Sequence, residues 1–488
     1  MKNLTLIALL FCFSVSLFAQ NDIEEYKRRR QQEFTTYKDE RLEGLKKYKE
    51  EANKKYAEMM QQRWEYFQMQ KGIEVPKSPD PVVPPVFEPD DKEPAKTRPQ
   101  EVKIEGMPAV SKLPKAVSKP KYDLPEVSRE LPKSRKIFDF YGTVCTIQYN
   151  EEMVFELASN DEYEVSKAWA KLSGGSSNQW LNDCITAKGK YNLCDWAYLK
   201  FTQKAAESLF GESDEATLLQ AYTLIQSGYK LRIGRGNGKL CLFVPSEYIM
   251  YNYSYVAIDG DKYFAIIDDL ATEVYIFDAN FPEEHLLSLE ISQPYLSVSP
   301  TESKSFKSRR YQDLSIELET NANLIDFYND FPRNSSWNLL SKASLSQQVK
   351  NKLYPVLREK VKGKTQEEAA NILINFVQTA FEYKTDGEQF GYERPFFGDE
   401  LFFYPYSDCE DRSILYSILV REILKLDVVL LHYEGHLATA VKFTDDVNGD
   451  YLLFENDKYI VCDPTYINAN IGRTMPNHVG APVRIIKI

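Results

Sequence analysis

The sequence predicts an α+β protein in which one mixed unit occurs twice, behind a charged helical segment and a proline-rich stretch. Two observations carry the repeat. In ILYSILVREILKLDVVLL (414–431), apolar residues at helical spacing run into a continuous apolar strand, and HLATAVKF and DKYIVCDPTY follow. In ATLLQAYTLIQSGYKLRIG (216–234), helix again gives way to strand, followed by KLCLFV (239–244) and GDKYFAIID (260–268); the two series share their order and an offset of about 195 to 198 residues. The third observation is compositional. Thirteen of the 24 prolines fall between Val75 and Lys133, a stretch with almost no aromatic residues, which sets everything after it apart.

Taken in order, residues 1–19 combine Lys2, an apolar run from Leu4 to Phe18 and a small residue, Ala19. This is the pattern of a secretory signal peptide and predicts export, to the periplasm or beyond the cell. The run is too short to span a bilayer and no later segment is apolar enough, so no integral membrane span is expected. Cys12 follows the bulky Phe11 and is not read as a lipid attachment site. Residues 20–72 are rich in Glu, Lys, Arg and Gln, and Glu43/Lys47, Glu50/Lys54 and Glu51/Lys55 support a helix. Tyr48, Ala52, Tyr56 and Met59 form only a thin apolar stripe, read as a solvated stalk or as a coiled coil that meets a partner. Residues 73–135 read as a disordered Pro-rich linker, an extended tether of about 3.1 Å per residue where polyproline II forms. The earlier copy is assigned 136–305 and the later one 306–488.

A net charge of −12 gives no basic footprint, so nucleic acid is not expected as a partner. Six cysteines follow residue 19: Cys145, Cys184, Cys194, Cys241, Cys409 and Cys462. Their irregular spacing fits neither a dense disulfide scaffold nor paired zinc motifs, and Cys184 and Cys194 are the nearest pair in sequence. Neither metal nor cofactor is expected.

The chemistry concentrates in the later copy. Ser407 or Asp408 is positioned to cap the helix that Leu415, Ile418, Leu419 and Ile423 define, which puts Cys409 in the first turn, beside unpaired backbone N–H groups. A helix N-terminus favours a thiolate. Asp408, Glu410 and Asp411 oppose it, so a cationic partner is required. Among the four histidines, His436 opens a strand after Gly435 and is the expected base, with His432 the alternative. Asp463 ends an apolar strand ahead of Pro464, where a carboxylate fixes the imidazole tautomer.

Cys409, His436 and Asp463 are separated by 27 residues each time, as helix start, strand start and strand end. With D-C-E-D at 408–411, G-H-L-A-T-A-V at 435–441 and C-D-P-T-Y at 462–466, the chain from about Ile325 to Ile488 resembles the transglutaminase-like superfamily. It is most similar to secreted bacterial members, which also show F-V-Q-T-A-F-E-Y and E-Q-F-G, here 376–383 and 388–391. The resemblance implies a papain-like core of antiparallel sheet packed on helices, with Cys409 as nucleophile, His436 as base then acid, and Asp463 as orienter. The Cys409 backbone N–H and a side-chain amide, for which Gln389 is the candidate, form the implied oxyanion hole.

One feature departs from the family pattern: TDDVNGDYLLFENDK (444–458) separates the His and Asp strands, where many members have a tight hairpin. Asp446, Asn448 and Asp450 alternate within it loosely like calcium ligands, but are read as a turn. Taken singly, Cys409 and Cys462 are ordinary buried thiols and His436 an ordinary core histidine; their joint order favours the triad, with Cys462 assigned to packing. By the repeat offset, Cys409 maps near Gly211 to Ser213, His436 to Lys239 and Asp463 to Ile267 or Asp268, so the earlier copy should be catalytically silent. The expected function is an exported cysteine peptidase or amidase acting on a peptide or protein, hydrolysis being favoured over crosslinking because nothing in the sequence marks an amine donor. A glycan-linked amide is a further substrate class. The reading from another class is a catalytically silent envelope protein-binding or assembly module.

Overall fold

The computed structural model describes residues 43–75, 84–87, 99–105, 134–266, 272–334 and 336–488, with isolated positions between 30 and 41. The expected signal peptide, and Ile267 and Asp268, lie outside the described residues. Helices and mainly antiparallel sheets make up the described residues, an α+β architecture.

The two halves share one connectivity. In the first sheet the strand order is Glu65–Gln68, Glu273–Phe277, Arg232–Gly236, Lys239–Pro245, Asp261–Ala265, Tyr255–Ile258. In the second it is Arg484–Lys487, Asp427–Tyr433, His436–Lys442, Asp457–Cys462, Tyr451–Phe454. Without Glu65–Gln68, the two orders are the same: two consecutive strands, a hairpin added on one side, and a last strand returning to pair with the first. All the pairings are antiparallel. Each sheet packs one face on a helix that precedes it, Asp214–Gln226 or Cys409–Leu419, whose buried Leu218, Leu219 and Tyr222, or Ile414, Leu415 and Ile418, form the stripes the sequence pattern predicts. The strand Lys304–Lys307 pairs with Ser315–Leu318, so the expected boundary at 305 cuts through a hairpin.

The 444–458 segment resolves the departure noted above. His436–Lys442 ends, a loop follows, and Tyr451–Phe454 turns back through Glu455 and Asn456, both left-handed (φ 52° and 70°), as a two-residue primed turn requires. The Asp450 carboxylate receives the backbone N–H groups of Gln100 and Thr474, both at 3.0 Å, so this residue of the alternating acids anchors chain segments.

The segments before residue 134 differ most from expectation. The helix over 43–60 is not a solvated stalk through residue 72. Tyr56, Ala57, Met60 and Trp64 are buried against the first copy, with Tyr56 edge-on to Phe277 and tilted on Trp169, while Met59, expected in the stripe, is exposed. The chain then adds Glu65–Gln68 to the sheet edge, and Phe67 and Met69 pack on that sheet's outer face with Phe243, Val256 and Ile276. The expected disordered linker also docks where it is described. Phe87 N–H donates to the Ile467 carbonyl at 2.8 Å, Val102 N–H to Tyr451 at 2.7 Å, and Glu105 N–H to Val483 at 2.9 Å. Val102 and Ile104 lie on Val429, Leu431, Ala438 and Val461, the outer face of the second sheet. The physical reason is shared. Both central sheets are apolar on both faces, and a face without its own helix needs another cover.

Candidate functional site

Cys409 is the first residue of its helix, and Asp408, not Ser407, is the cap. Asp408 Oδ1 accepts the Glu410 N–H at 3.1 Å and Asp411 Oδ2 accepts the Asp408 N–H at 3.1 Å, a reciprocal capping box. The helix is held to the sheet by Ser413, which donates to the Leu437 carbonyl at 2.8 Å, so the thiol lies beside the start of the strand that His436 opens. Asp463 follows the strand Asp457–Cys462. Its Oδ1 accepts N–H groups from Thr465 (2.9 Å) and Tyr466 (3.2 Å), and its Oδ2 lies 2.8 Å from His436 Nε2. That leaves Nδ1 as the ring atom able to take a proton.

Cys409 and His436 both line a cavity of about 310 Å³, with Tyr383, Thr385, Glu393, Glu434, Thr465 and His478 among the other walls. Cys409 is 7% exposed and lines the cavity. The structure thus brings the three expected residues to one place. It does not bring Gln389 there: the Gln389 amide donates to the Tyr406 carbonyl at 3.4 Å, and Gln389 is not a wall of the cavity. His432, the alternative base, is turned to Arg484 (Nδ1 to Nη2, 2.6 Å) and Trp337 instead. Cys462 is buried, in keeping with packing, and all six described cysteines, Cys184 and Cys194 included, are free thiols.

The electrostatics differ from the expected thiolate. Burial pushes the Cys409 thiol well above the usual range, and Glu410 and Asp408 push it further, outweighing the Leu437 N–H; Sγ lies 3.1 Å from a Glu410 oxygen. Burial likewise raises Asp408, Glu410 and Asp411, and takes Asp386 to about 9, with Asp408 adding to the shift. Asp463 behaves oppositely. Burial raises it, but the His436 charge and hydrogen bonds from His436, Thr465 and Tyr466 prevail, holding it below the ordinary carboxylate range. Two groupings have ligand atoms within 4.8 Å of one another, close enough to share a cation: Asp408, Cys409 and Glu410, and Asp386, Glu393 and Asp408.

Four residues of the site were not foreseen. His478 stacks on the His436 ring (centroids 4.9 Å apart, planes at 7°). Tyr383 lines the cavity, and burial keeps its phenol protonated. Gln378, fully buried, donates through Nε2 to the carbonyls of Asp463 (3.2 Å), Tyr466 (2.7 Å) and Ala469 (3.0 Å), which fixes the turn that carries Asp463. Arg412, also buried, donates to the carbonyls of Gln378 (3.2 Å) and Phe381 (2.8 Å), linking the helix Gln366–Thr379, which carries Gln378, to the Cys409 helix. For Gln378 a signal existed: Asn371, Asn375 and Gln378 form a polar stripe at helical spacing inside the otherwise apolar NILINFVQTAF, and all three are buried. Comparisons with protein-family models, curated proteins and solved structures gave no match.

Proposed function

We propose that the protein is an exported cysteine-dependent acyl-transfer enzyme of transglutaminase-like fold, most simply a peptidase or amidase, working through Cys409, His436 and Asp463. The observation that carries this reading is the 2.8 Å contact between His436 Nε2 and Asp463 Oδ2 at the wall of a cavity that also holds Cys409. Asp463 keeps the Nε2 tautomer, so Nδ1 takes the thiol proton as sulfur bonds to the carbonyl carbon of the substrate. The oxyanion is met by the Cys409 backbone N–H and, in place of Gln389, by the neutral Tyr383 hydroxyl. The C–N bond then breaks, the imidazolium returns its proton to the leaving amine, and a thioester remains. Water, deprotonated by His436, attacks the thioester, releasing the carboxyl product and the thiol.

One observation favours the other reading, a catalytically silent binding module: the thiol is held neutral between carboxyl groups. A neutral resting thiol is compatible with catalysis when proton transfer accompanies attack, so the two readings separate by experiment. A peptide-library digest read by mass spectrometry, with the natural chain beside Cys409→Ala, should show cleavages that vanish in the variant. A folded natural chain that cuts nothing, and whose Cys409 reacts with iodoacetamide no faster than the other five thiols, would establish the silent module instead.

A further inference from the structure

The walls of the cavity carry more carboxyl than basic side chains, a feature that the reaction does not use. Asp408, Glu410, Glu393 and Glu434 all line it, and among the described residues no lysine or arginine does; the basic groups among those described walls are the rings of His436 and His478. Glu434 stands exposed in the turn that leads into His436, whereas Glu393 lies beside Asp386 and Asp408, next to the start of the Cys409 helix, and both line the cavity that holds Cys409. A second, independent feature points to a missing ligand. Thr465 is 2% exposed and lines the cavity, yet its hydroxyl oxygen has no hydrogen-bond partner among the described residues. A buried hydroxyl without a partner is uncommon and marks a place where a bound group completes the bonding.

We propose that this cavity selects acyl substrates with a lysine or arginine side chain next to the bond attacked, and that Glu393 and Glu434 read that positive charge. The inference rests on the cysteine-hydrolase reading above and names its substrate class. Complementary charge in a confined, partly dehydrated cleft discriminates between substrates chiefly by disfavouring the wrong sign, so acidic side chains are rejected more strongly than neutral ones. An ammonium or guanidinium group also supplies the counter-charge that the crowded carboxyl groups lack, and offers N–H donors to the Thr465 hydroxyl, which can accept them. Hydrophobic or acidic flanking residues offer neither.

The test uses the intact chain and pairs of otherwise identical peptides with lysine, norleucine or glutamate beside the cleaved bond, chosen from the sites found in the library digest. The expected result is a kcat/KM roughly tenfold higher for lysine than for norleucine, with glutamate lower still. In E434Q and E393Q the lysine-to-norleucine ratio should fall, and in E434K it should invert; Glu434 is exposed in a turn, so its two replacements leave the core untouched. Cys409-dependent cleavage with equal rates for lysine and norleucine would overturn the inference while leaving the enzyme. Were no cleavage seen at all, titration calorimetry of Cys409→Ser with the same peptides would still decide it: tighter binding of the lysine peptide supports cation recognition, and equal binding overturns it. A calcium titration forms the last arm. Calcium that binds tightly while the lysine peptide does not would assign the carboxyl groups to a metal ion and overturn the proposal.

Discussion

Replacing Asp463 with Asn tests the site most directly, because the outcome depends on which way a single amide faces. In the native site one carboxylate oxygen is occupied by the Thr465 and Tyr466 N–H groups, at 2.9 and 3.2 Å, and the other by His436 Nε2 at 2.8 Å. Two backbone donors require an oxygen. The asparagine NH2 must therefore face Nε2, where two donors cannot meet, and the ring responds by moving its proton to Nδ1, the atom that has to receive the thiol proton. Turning the amide over would restore the tautomer but abandon two backbone N–H groups, at about 1–3 kcal/mol each. We expect Asp463→Asn to lose roughly 10³–10⁴ in kcat/KM, about 4–5.5 kcal/mol in the barrier, with little loss of stability. The assays are cleavage of a library-derived peptide, the iodoacetamide reaction of Cys409 across pH, and ¹⁵N shifts of the His436 ring. Activity within about threefold of the natural chain, with the ring proton still on Nε2, would refute the reasoning.

Three other substitutions test neighbouring parts of the argument. Tyr383→Phe removes one proposed oxyanion donor and should lower kcat by about 10²-fold or more with little change in KM, measured on the same peptide; an unchanged kcat returns the second donor to another group. Asp386 is held protonated in the fold to about pH 9 but ionises near 3.8 once unfolded, so unfolding releases a proton between these values and stability falls as pH rises across that window, by at most about 1.4 kcal/mol per pH unit. Urea denaturation of Asp386→Asn should show a shallower fall from pH 5 to 8, the remaining slope coming from Asp408, Glu410 and Asp411, which burial shifts the same way. Trp64→Ala empties a fully buried site on the first copy and should cost about 3–5 kcal/mol in urea denaturation; a free stalk would lose almost nothing.

What the sequence made legible was whatever depends on short-range pattern. The caps and apolar spacing around Cys409, the strand opening at His436 after a glycine, and the strand halted by Pro464 are each set within a few residues, and they point to one rim of one sheet. The earlier copy follows the same local pattern. Its strand starts at Lys239 where the later one starts at His436, and its helix starts at Asp214, one residue past the expected position, with a carboxylate spent on the Leu240 N–H and Asn160 rather than on chemistry. Long-range effects were hidden. Tyr56, Met60 and Trp64 are too few among charged residues to announce a docked helix, and proline content suggested a free tether because composition cannot name the apolar face that Val102 and Ile104 cover. The thiol's environment was legible in part: the opposing carboxyl groups stand in the sequence, but the burial that raises the thiol most depends on the fold. Gln389 has the right chemistry for an oxyanion donor, and only the fold reveals that its amide is committed elsewhere.

The two straps ahead of residue 134 bear on how this molecule can be divided. A fragment trimmed to the second copy alone would leave Val429, Leu431, Ala438 and Val461 facing water without Val102 and Ile104, and one trimmed to the first would uncover Val256 and Ile276. Bare apolar sheet faces of this kind recruit whatever lies nearby, other copies included. Processing that removed residues 65–69 or 102–104 would therefore change the solubility of the whole chain before it changed any chemistry.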